Sequence, residues 1–255
     1  MDLRVIGCHG GETPKHRTSA FLINDELTFD AGSLTSGLEL KAQCKLDACL
    51  VSHAHLDHIR DLATLADNRC QNGCVPLGIA ATKGTIAVLK KHFFNNLIWP
   101  DFSVIPTPEK PTIRYIELKP EKATTIAGHT VRAVMVDHTI EGCAFIVEGK
   151  DGAVAYSGDT GPTKRLWELL NEVNDLRALL MEVSYPNHQQ KLATVSGHHT
   201  PRTLGVEMKK YRQPKELPTL LYHIKPTFQS EVEKECASIK GVNMSVCQIG
   251  DHFVL

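Results

Sequence analysis

The sequence predicts an α/β fold built as one unit. Short apolar runs that end in turn signals recur along the chain, and helical runs with one apolar face stand between them. Hydrophobic residues make up 42% of the 255, enough for a substantial core. That length is large for one domain but acceptable for a single α/β unit. No low-complexity tract or linker interrupts it, so residues 1–255 are expected to form one domain.

Leu3–Gly7 reads as a strand, followed by the Gly-rich loop Gly7-Cys8-His9-Gly10-Gly11. This loop could cradle phosphate, but it lacks the Lys-Ser/Thr ending of a P-loop. Ser19–Asn24 and Leu27–Asp30 are strands joined by the turn Asn24-Asp25-Glu26, and Asp30-Ala31-Gly32 leads into a helix over Leu34–Cys44. Asp47–Val51 is a short buried strand. It runs into His53-Ala54-His55-Leu56-Asp57-His58, four metal-capable side chains in six residues. On a helix these four would diverge. At a strand-to-helix turn, His53 and His55 can face one ion, and Asp57 and His58 a second. Ile59, Leu62, Leu65 and Ala66 continue at helical spacing, with Asp57 placed to cap the first turn.

Leu77–Ala81 is a strand and Thr82–Phe94 a helix, whose Lys83, Lys90, Lys91 and His92 form a solvated basic side. Residues 95–112 carry Trp99, Phe102 and four prolines, and are expected to cover the cleft. Strands follow at Arg114–Leu118, Thr124–Ala127, Val131–Val136, Cys143–Val147 and Ala153–Tyr156. Pro162 opens a helix through Leu166 and Leu170, and Leu176–Val183 is a further strand. Thr200-Pro201 reads as N-cap and first helical residue, and Ser230-x-x-Glu233 as a capping box that opens a last helix.

The motif His53-x-His55-x-Asp57-His58 resembles the signature of the metallo-β-lactamase superfamily. That resemblance implies a four-layer αββα sandwich and three more ligands, in chain order a His, a bridging Asp and a His. His138, Asp159 and His223 each follow an apolar run and match that order. The implied metal set is then His53, His55, Asp57, His58, His138, Asp159 and His223. The opening from Gly7–Gly11 to Asp30–Leu34, together with Gly197-His198-His199-Thr200-Pro201 and His223-Ile224-Lys225-Pro226, is similar to class II cyclic-nucleotide phosphodiesterases. Related tRNA 3′-processing endonucleases, the ribonuclease Z group, use a Glu to orient a His that protonates the leaving oxygen. Glu182 and His198 match those positions.

The implied function is hydrolysis of 3′,5′-cyclic nucleotides, cyclic AMP or cyclic GMP, to 5′-monophosphates. Asp57, Glu182 and His198 are the catalytic candidates, and His199 and Lys225 the substrate-binding ones. His199 could also exchange roles with His198, and Lys225 could instead face solvent. Two divalent ions are implied, zinc first by its taste for nitrogen and oxygen ligands, with manganese or iron as alternatives. The alternative activity is a ribonuclease Z-like attack on RNA 3′ ends, or another hydrolysis on the same fold. Lactam, lactone or thioester hydrolysis needs no Glu–His proton donor. Where class II enzymes carry a small residue after the motif, this chain has Asp61, a departure that bears on substrate fit.

A net charge of −1 and a pI near 6.9 argue against a long polyanionic partner, so the expected partner is a small cyclic nucleotide. A second copy of the chain is left open. Met1–Arg4 runs straight into a strand, and no apolar run reaches the roughly twenty residues of a membrane span, so a cytoplasmic protein is expected. The eight cysteines lack the density of a disulfide scaffold and are expected to be reduced. His9, His16, His92, His129, His188 and His252 have no motif context.

Overall fold

The computed structural model describes all 255 residues. In chain order the strands are β1 (Asp2–Gly7), β2 (Ala20–Ile23), β3 (Leu27–Phe29), β4 (Ala48–Leu50), β5 (Leu77–Ala81), β6 (Pro106–Thr107), β7 (Lys110–Pro111) and β8 (Ile113–Glu117). Then come β9 (Thr124–Ile126), β10 (His129–Met135), β11 (Cys143–Gly149), β12 (Gly152–Tyr156), β13 (Leu176–Glu182), β14 (Pro218–Tyr222), β15 (Asn243–Val246) and β16 (His252–Val254). The helices are α1 (Leu40–Lys45), α2 (Leu56–Ile59), α3 (Leu62–Gln71), α4 (Lys83–Val88), α5 (Arg165–Leu170), α6 (Gln190–Ser196), α7 (Pro201–Glu207) and α8 (Gln229–Ala237).

Two seven-stranded sheets form, in the orders β16-β1-β2-β3-β4-β5-β8 and β15-β14-β13-β12-β11-β10-β9. The period of two in each strand decides the layering. Val5, Phe21, Ile23 and Leu50 of the first sheet meet Val131, Phe145, Val147 and Leu180 of the second in the central core. Their neighbours Ile6, Leu22 and Cys49 join Leu62, Leu65 and Ile86 in a core under α3 and α4. Ala144, Ile146 and Leu179 join Leu166, Trp167, Leu204 and Val232 on the other outside face. The result is the expected αββα sandwich. Full burial of each large apolar side chain is worth roughly 1.5–3 kcal/mol. No helix is long and apolar enough to cross a membrane.

Several expectations at element level are corrected. The helix expected over Leu34–Cys44 is only Leu40–Lys45. Residues 33–38 stay in turns, because Ser36 Oγ bonds Ser33 O and Asp61 Oδ2 takes both Thr35 N and Thr35 Oγ1. His55, not Asp57, is the N-cap of α2. The helix after β5 ends in a π-helical turn, Leu89–Phe93. Helix α5 begins at Arg165 rather than Pro162, and α8 has Phe228, not Ser230, before its first turn. A short 3-10 turn, Pro226–Phe228, leads straight into α8, so Ser230 already lies inside the helix. Thr200 does form a capping box, with Thr203 as its partner.

The segment 95–112 does not cover the cleft. Phe102 and Trp99 pack with Phe93 and Phe94 into the outer core, and Thr112 N bonds Phe102 O and Ile105 O. The segment therefore ends where β8 begins. Ile113 pairs there with Leu77, the first residue of β5. That is the opposite end of the sheet from the turn after β4. Cys44 and Cys74, expected to be reduced, are paired across α1 and the end of α3, with Cα atoms 5.4 Å apart.

Candidate metal centre

The predicted metal ligands and Glu182 gather at the carboxyl ends of five strands. β4 delivers His53, His55, Asp57 and His58; β10 leads to His138, β12 to Asp159, β13 to Glu182 and β14 to His223. Such an end of an open α/β sheet is where ligands bind. An aromatic stack between the sheets supports it. Phe29 stacks on Phe145 and Tyr156, and Tyr156 on Tyr222, with centroids 6.2, 4.9 and 5.0 Å apart. Each such pair adds roughly 0.5–1.5 kcal/mol beyond its buried area. The two tyrosines point their hydroxyls into the site's support: Tyr156 donates to Asp30 Oδ2 (2.6 Å) and Tyr222 to Gly158 O (2.9 Å).

Ligand atoms of His53, His55, His138 and Asp159 lie within 4.8 Å of one another, and so do those of Asp57, His58 and His223. Asp159 joins the two groups. Its Oδ2 lies 3.7 Å from His53 Nε2 and 3.2 Å from both His58 Nε2 and His223 Nε2.

Hydrogen bonds on the far side of each ring fix which nitrogen faces inward. His58 Nδ1 donates to Asp30 Oδ2 (2.7 Å) and His138 Nδ1 to Gly197 O (3.0 Å). Ser52 Oγ donates to Asp30 Oδ2, so it accepts from His53 Nδ1 at 3.0 Å. Ser184 Oγ donates to Glu182 Oε2, so it accepts from His223 Nδ1 at 2.8 Å. Each of these four rings, when it carries one proton, turns an Nε2 lone pair inward.

That arrangement fits divalent ions. His58 Nε2 and His223 Nε2 are 3.3 Å apart, and with Nδ1 carrying the proton in both rings their lone pairs repel unless a cation lies between them; His138 Nε2 and His55 Nδ1 are 3.2 Å apart. Asp159 Oδ1 is buried without a hydrogen-bond partner. Burial pushes His53, His55 and His223 down toward the neutral ligand form. Burial alone would do the same to His58, but Asp159 and Asp30 raise it above the usual imidazole range. Burial would raise Asp57 and Asp159; the surrounding imidazoles, His223 and His58 foremost, hold both carboxylates well below it.

A second network adjoins this one. Glu182 is fully buried and accepts from Ser184 Oγ (3.0 Å), His199 N (3.0 Å) and His198 Nδ1 (3.3 Å). His198 stacks on His223 at 5.2 Å and can share a ligand-distance group with it and Asp159. Burial lowers the His198 pKa, but the Glu182 carboxylate outweighs it and raises it. The same imidazole lowers Glu182 against the effect of burial.

Two substrate-binding candidates fare differently. His199 is fully buried, its Nδ1 3.1 Å from Thr203 Oγ1 on α7, and offers no atom to a molecule entering from solvent. The His199 ring lies against Thr203 on α7, and its backbone N–H rather than its ring bonds Glu182. Lys225 Nζ donates to Gly10 O (2.7 Å), and its charge acts on both His198 and His223. Asp61 is buried and spends its carboxylate on Thr35 and Arg60, so it braces a turn rather than shaping the substrate space.

The Gly-rich loop cradles protein, not phosphate. Gly10 N bonds Ile224 O, Cys8 O takes His223 N at 2.7 Å, and a Cβ on Gly10 would meet His223 O at 2.3 Å. This strap holds His223 at a φ of +69°, a conformation that costs a non-glycine residue about 1–3 kcal/mol. The positioning residues Asp30, Ser52, Ser184 and Gly197 were not singled out from the sequence. The one signal was for Asp30, an acid directly after the apolar run Leu27–Phe29.

A family profile described as Beta-lactamase superfamily domain matches residues 31–224. A probable 3′,5′-cyclic-nucleotide phosphodiesterase of Yersinia pestis is 27% identical over 280 residues, covering 90% of this chain and 79% of that protein. A 3′,5′-cyclic-nucleotide phosphodiesterase of Aliivibrio fischeri is 26% identical over 304 residues, covering 100% and 90%. Among solved structures, unliganded yeast PDE1 superposes with a TM-score of 0.84 at 19% identity, over 100% of this chain and 99% of that one.

Proposed function

This chain belongs to the beta-lactamase superfamily, and from that premise we propose that it is a binuclear phosphodiesterase. Its reaction opens 3′,5′-cyclic nucleotides, cyclic AMP or cyclic GMP, to 5′-monophosphates. The observation that carries this reading is one buried carboxylate oxygen, Asp159 Oδ2, shared between two sets of imidazoles, with the Glu182–His198 pair alongside. Near-full-length relatives named as cyclic-nucleotide phosphodiesterases support it.

His53, His55 and His138 would hold one ion, Asp57, His58 and His223 the other, and Asp159 both; the nitrogen-rich set suits zinc. When bound, two such ions lower the pKa of water toward neutrality and offset the phosphate's charge. The chain's own residues do the rest. Asp30, Ser52, Ser184 and Gly197 orient the rings before substrate arrives, so no reorganisation is needed during reaction. Ring opening breaks the bond from phosphorus to the ribose 3′ oxygen, a poor leaving group unless protonated. His198 gives that oxygen the proton on Nε2, while Glu182 accepts from Nδ1 and steadies the ring. The Lys225 ammonium adds positive charge on the same side.

The test is leaving-group selectivity. General acid catalysis contributes about 10²–10⁴-fold. His198→Ala should lose a factor in that range on cyclic nucleotide and far less on a nitrophenyl phosphodiester, whose leaving group is a stable anion. Glu182→Gln should show the same pattern, more weakly. Equal losses on both substrates would remove His198 as the acid.

A further inference from the structure

We propose that Tyr185 and Phe228 form a stacking wall that receives the nucleobase and sets the enzyme's preference for nucleotides over other cyclic phosphates. This rests on the phosphodiesterase reading and adds a substrate contact to it. Five rings follow one another outward from the ligand cluster. His223 neighbours His198 at 5.2 Å between centroids, His198 neighbours Tyr185 at 5.9 Å, Tyr185 neighbours Phe228 at 6.1 Å, and Phe228 neighbours His188 at 6.3 Å.

Tyr185 and Phe228 come from two separate segments, the turn after β13 and the 3-10 turn after β14. Lys225 N joins them by bonding Ser184 O at 3.2 Å. Their backbones are fixed: Tyr185 N bonds His199 O, and Phe228 N bonds Lys225 O at 2.8 Å. Tyr185 and Phe228 are nevertheless only half-buried, unlike the fully buried aromatics of the central core. Rings held rigidly yet left partly open offer a low-entropy surface for a flat apolar partner.

The substrate's shape gives that partner a place. In a 3′,5′-cyclic nucleotide the ribose and phosphate are fused into a rigid bicycle, and the base projects from the ribose away from phosphorus. With the phosphate at the ligand cluster and the 3′ oxygen at His198, the base continues along the row and reaches Tyr185 and then Phe228. Every nucleobase has a π-face, so such a wall binds purines of either kind.

The experiment compares cyclic AMP with the abasic 1-O-methyl ribose 3′,5′-cyclic phosphate in steady-state kinetics. Tyr185→Leu and Phe228→Leu keep apolar volume and remove the ring. Each should raise KM for cyclic AMP at least about fivefold, the effect of one lost base-stacking contact, with kcat within twofold of the parent. KM for the abasic phosphate should rise less than twofold, and Tyr185→Phe should restore the parent KM. Independently of turnover, the indole of Tyr185→Trp should be quenched by AMP and not by ribose 5-phosphate. Unchanged KM for cyclic AMP, or equal rises for both substrates, would overturn the wall while leaving the phosphodiesterase reading in place. A parent enzyme that cleaves no cyclic nucleotide would overturn both.

Discussion

At the scale of single residues, the site depends on side chains that never touch the reacting atoms. Asp30 is wholly buried and its two oxygens accept four hydrogen bonds, from Ser52 N, Ser52 Oγ, His58 Nδ1 and Tyr156 OH. It fixes the tautomer of His58 directly and that of His53 through Ser52. Asn at this place would present an NH₂ to groups that are themselves donors. Loss of such a partner typically costs about 10–100-fold in metal affinity. Asp30→Asn should therefore weaken zinc binding by that factor, measured by competition with a chelator of known affinity. An unchanged affinity would show that the ring orientation comes from packing alone. The seven candidate ligands, four in one motif and three supplied by the resemblance, do converge in the fold, because metal-binding chemistry restricts residue type. Asp30, Ser52 and Ser184 were not legible in the sequence, since any acceptor in the right place serves; the partners of Asp30 and Ser184 lie 28 and 39 residues away, and Ser52, next to His53, acts only through Asp30. His198 and His199 look alike in sequence, and only the fold separates the ring beside Glu182 from the one beside Thr203.

At the scale of elements, the strands from β1 to β5 and from β8 to β13 were read to within a residue or two, β6, β7, β15 and β16 were not read, and helices were read less well. Strands announce themselves by apolar runs that both sheets bury. Leu34–Cys44 carried a helical pattern, yet hydrogen bonds from Ser33, Thr35 and Asp61 held half of it in turns. The proline-rich segment 95–112 was misplaced because an apolar anchor shows that a loop packs, not where. Helix α6 was missed altogether, and its end matters most: Gly197 has φ +67°, and its carbonyl takes His138 Nδ1. A Cβ there would lie 3.0 Å from both His138 Cα and Nδ1. The left-handed conformation alone costs a residue with Cβ roughly 1–2 kcal/mol. Gly197→Ala should lower stability by at least that amount in chemical unfolding and reduce metal content through displacement of His138. Full stability with full metal content would contradict the contact. The cysteines give a second element-level test. Burial pushes the thiols of Cys8 and Cys236 up to about 12 and that of Cys49 up to about 11, and Cys143 and Cys247 are also buried and raised. Thiolate is the reactive form, so at pH 7.5 these five carry almost none of it. Half-buried Cys70 should be the free cysteine that iodoacetamide labels in the folded protein, read by peptide mass. Rapid labelling of Cys49 or Cys143 would mean that the sheets open.

At the scale of the whole molecule, charge decides which phosphodiesters can bind. The chain is nearly neutral, with 28 basic and 29 acidic side chains, and seven of the basic ones sit in ion pairs. Arg165 binds Glu121 and Glu168, Arg132 binds Glu148, and Arg177 binds Asp175. A protein that grips long RNA must neutralise many phosphates and so releases many counterions. With six to ten phosphate contacts, affinity falls about 10³–10⁵-fold between 50 and 200 mM salt. A cyclic nucleotide carries one phosphate charge, met inside a buried cluster where salt screens little. One contact gives a slope near −0.9, which over that fourfold salt range is a change of about 3.5-fold at most. The kcat/KM for cyclic AMP should accordingly vary by no more than about fourfold from 50 to 200 mM salt. A fall of 10³-fold or more, together with efficient cleavage of precursor tRNA, would mean that an extended cationic surface governs binding. The ribonuclease Z-like reading would then displace the cyclic-nucleotide one.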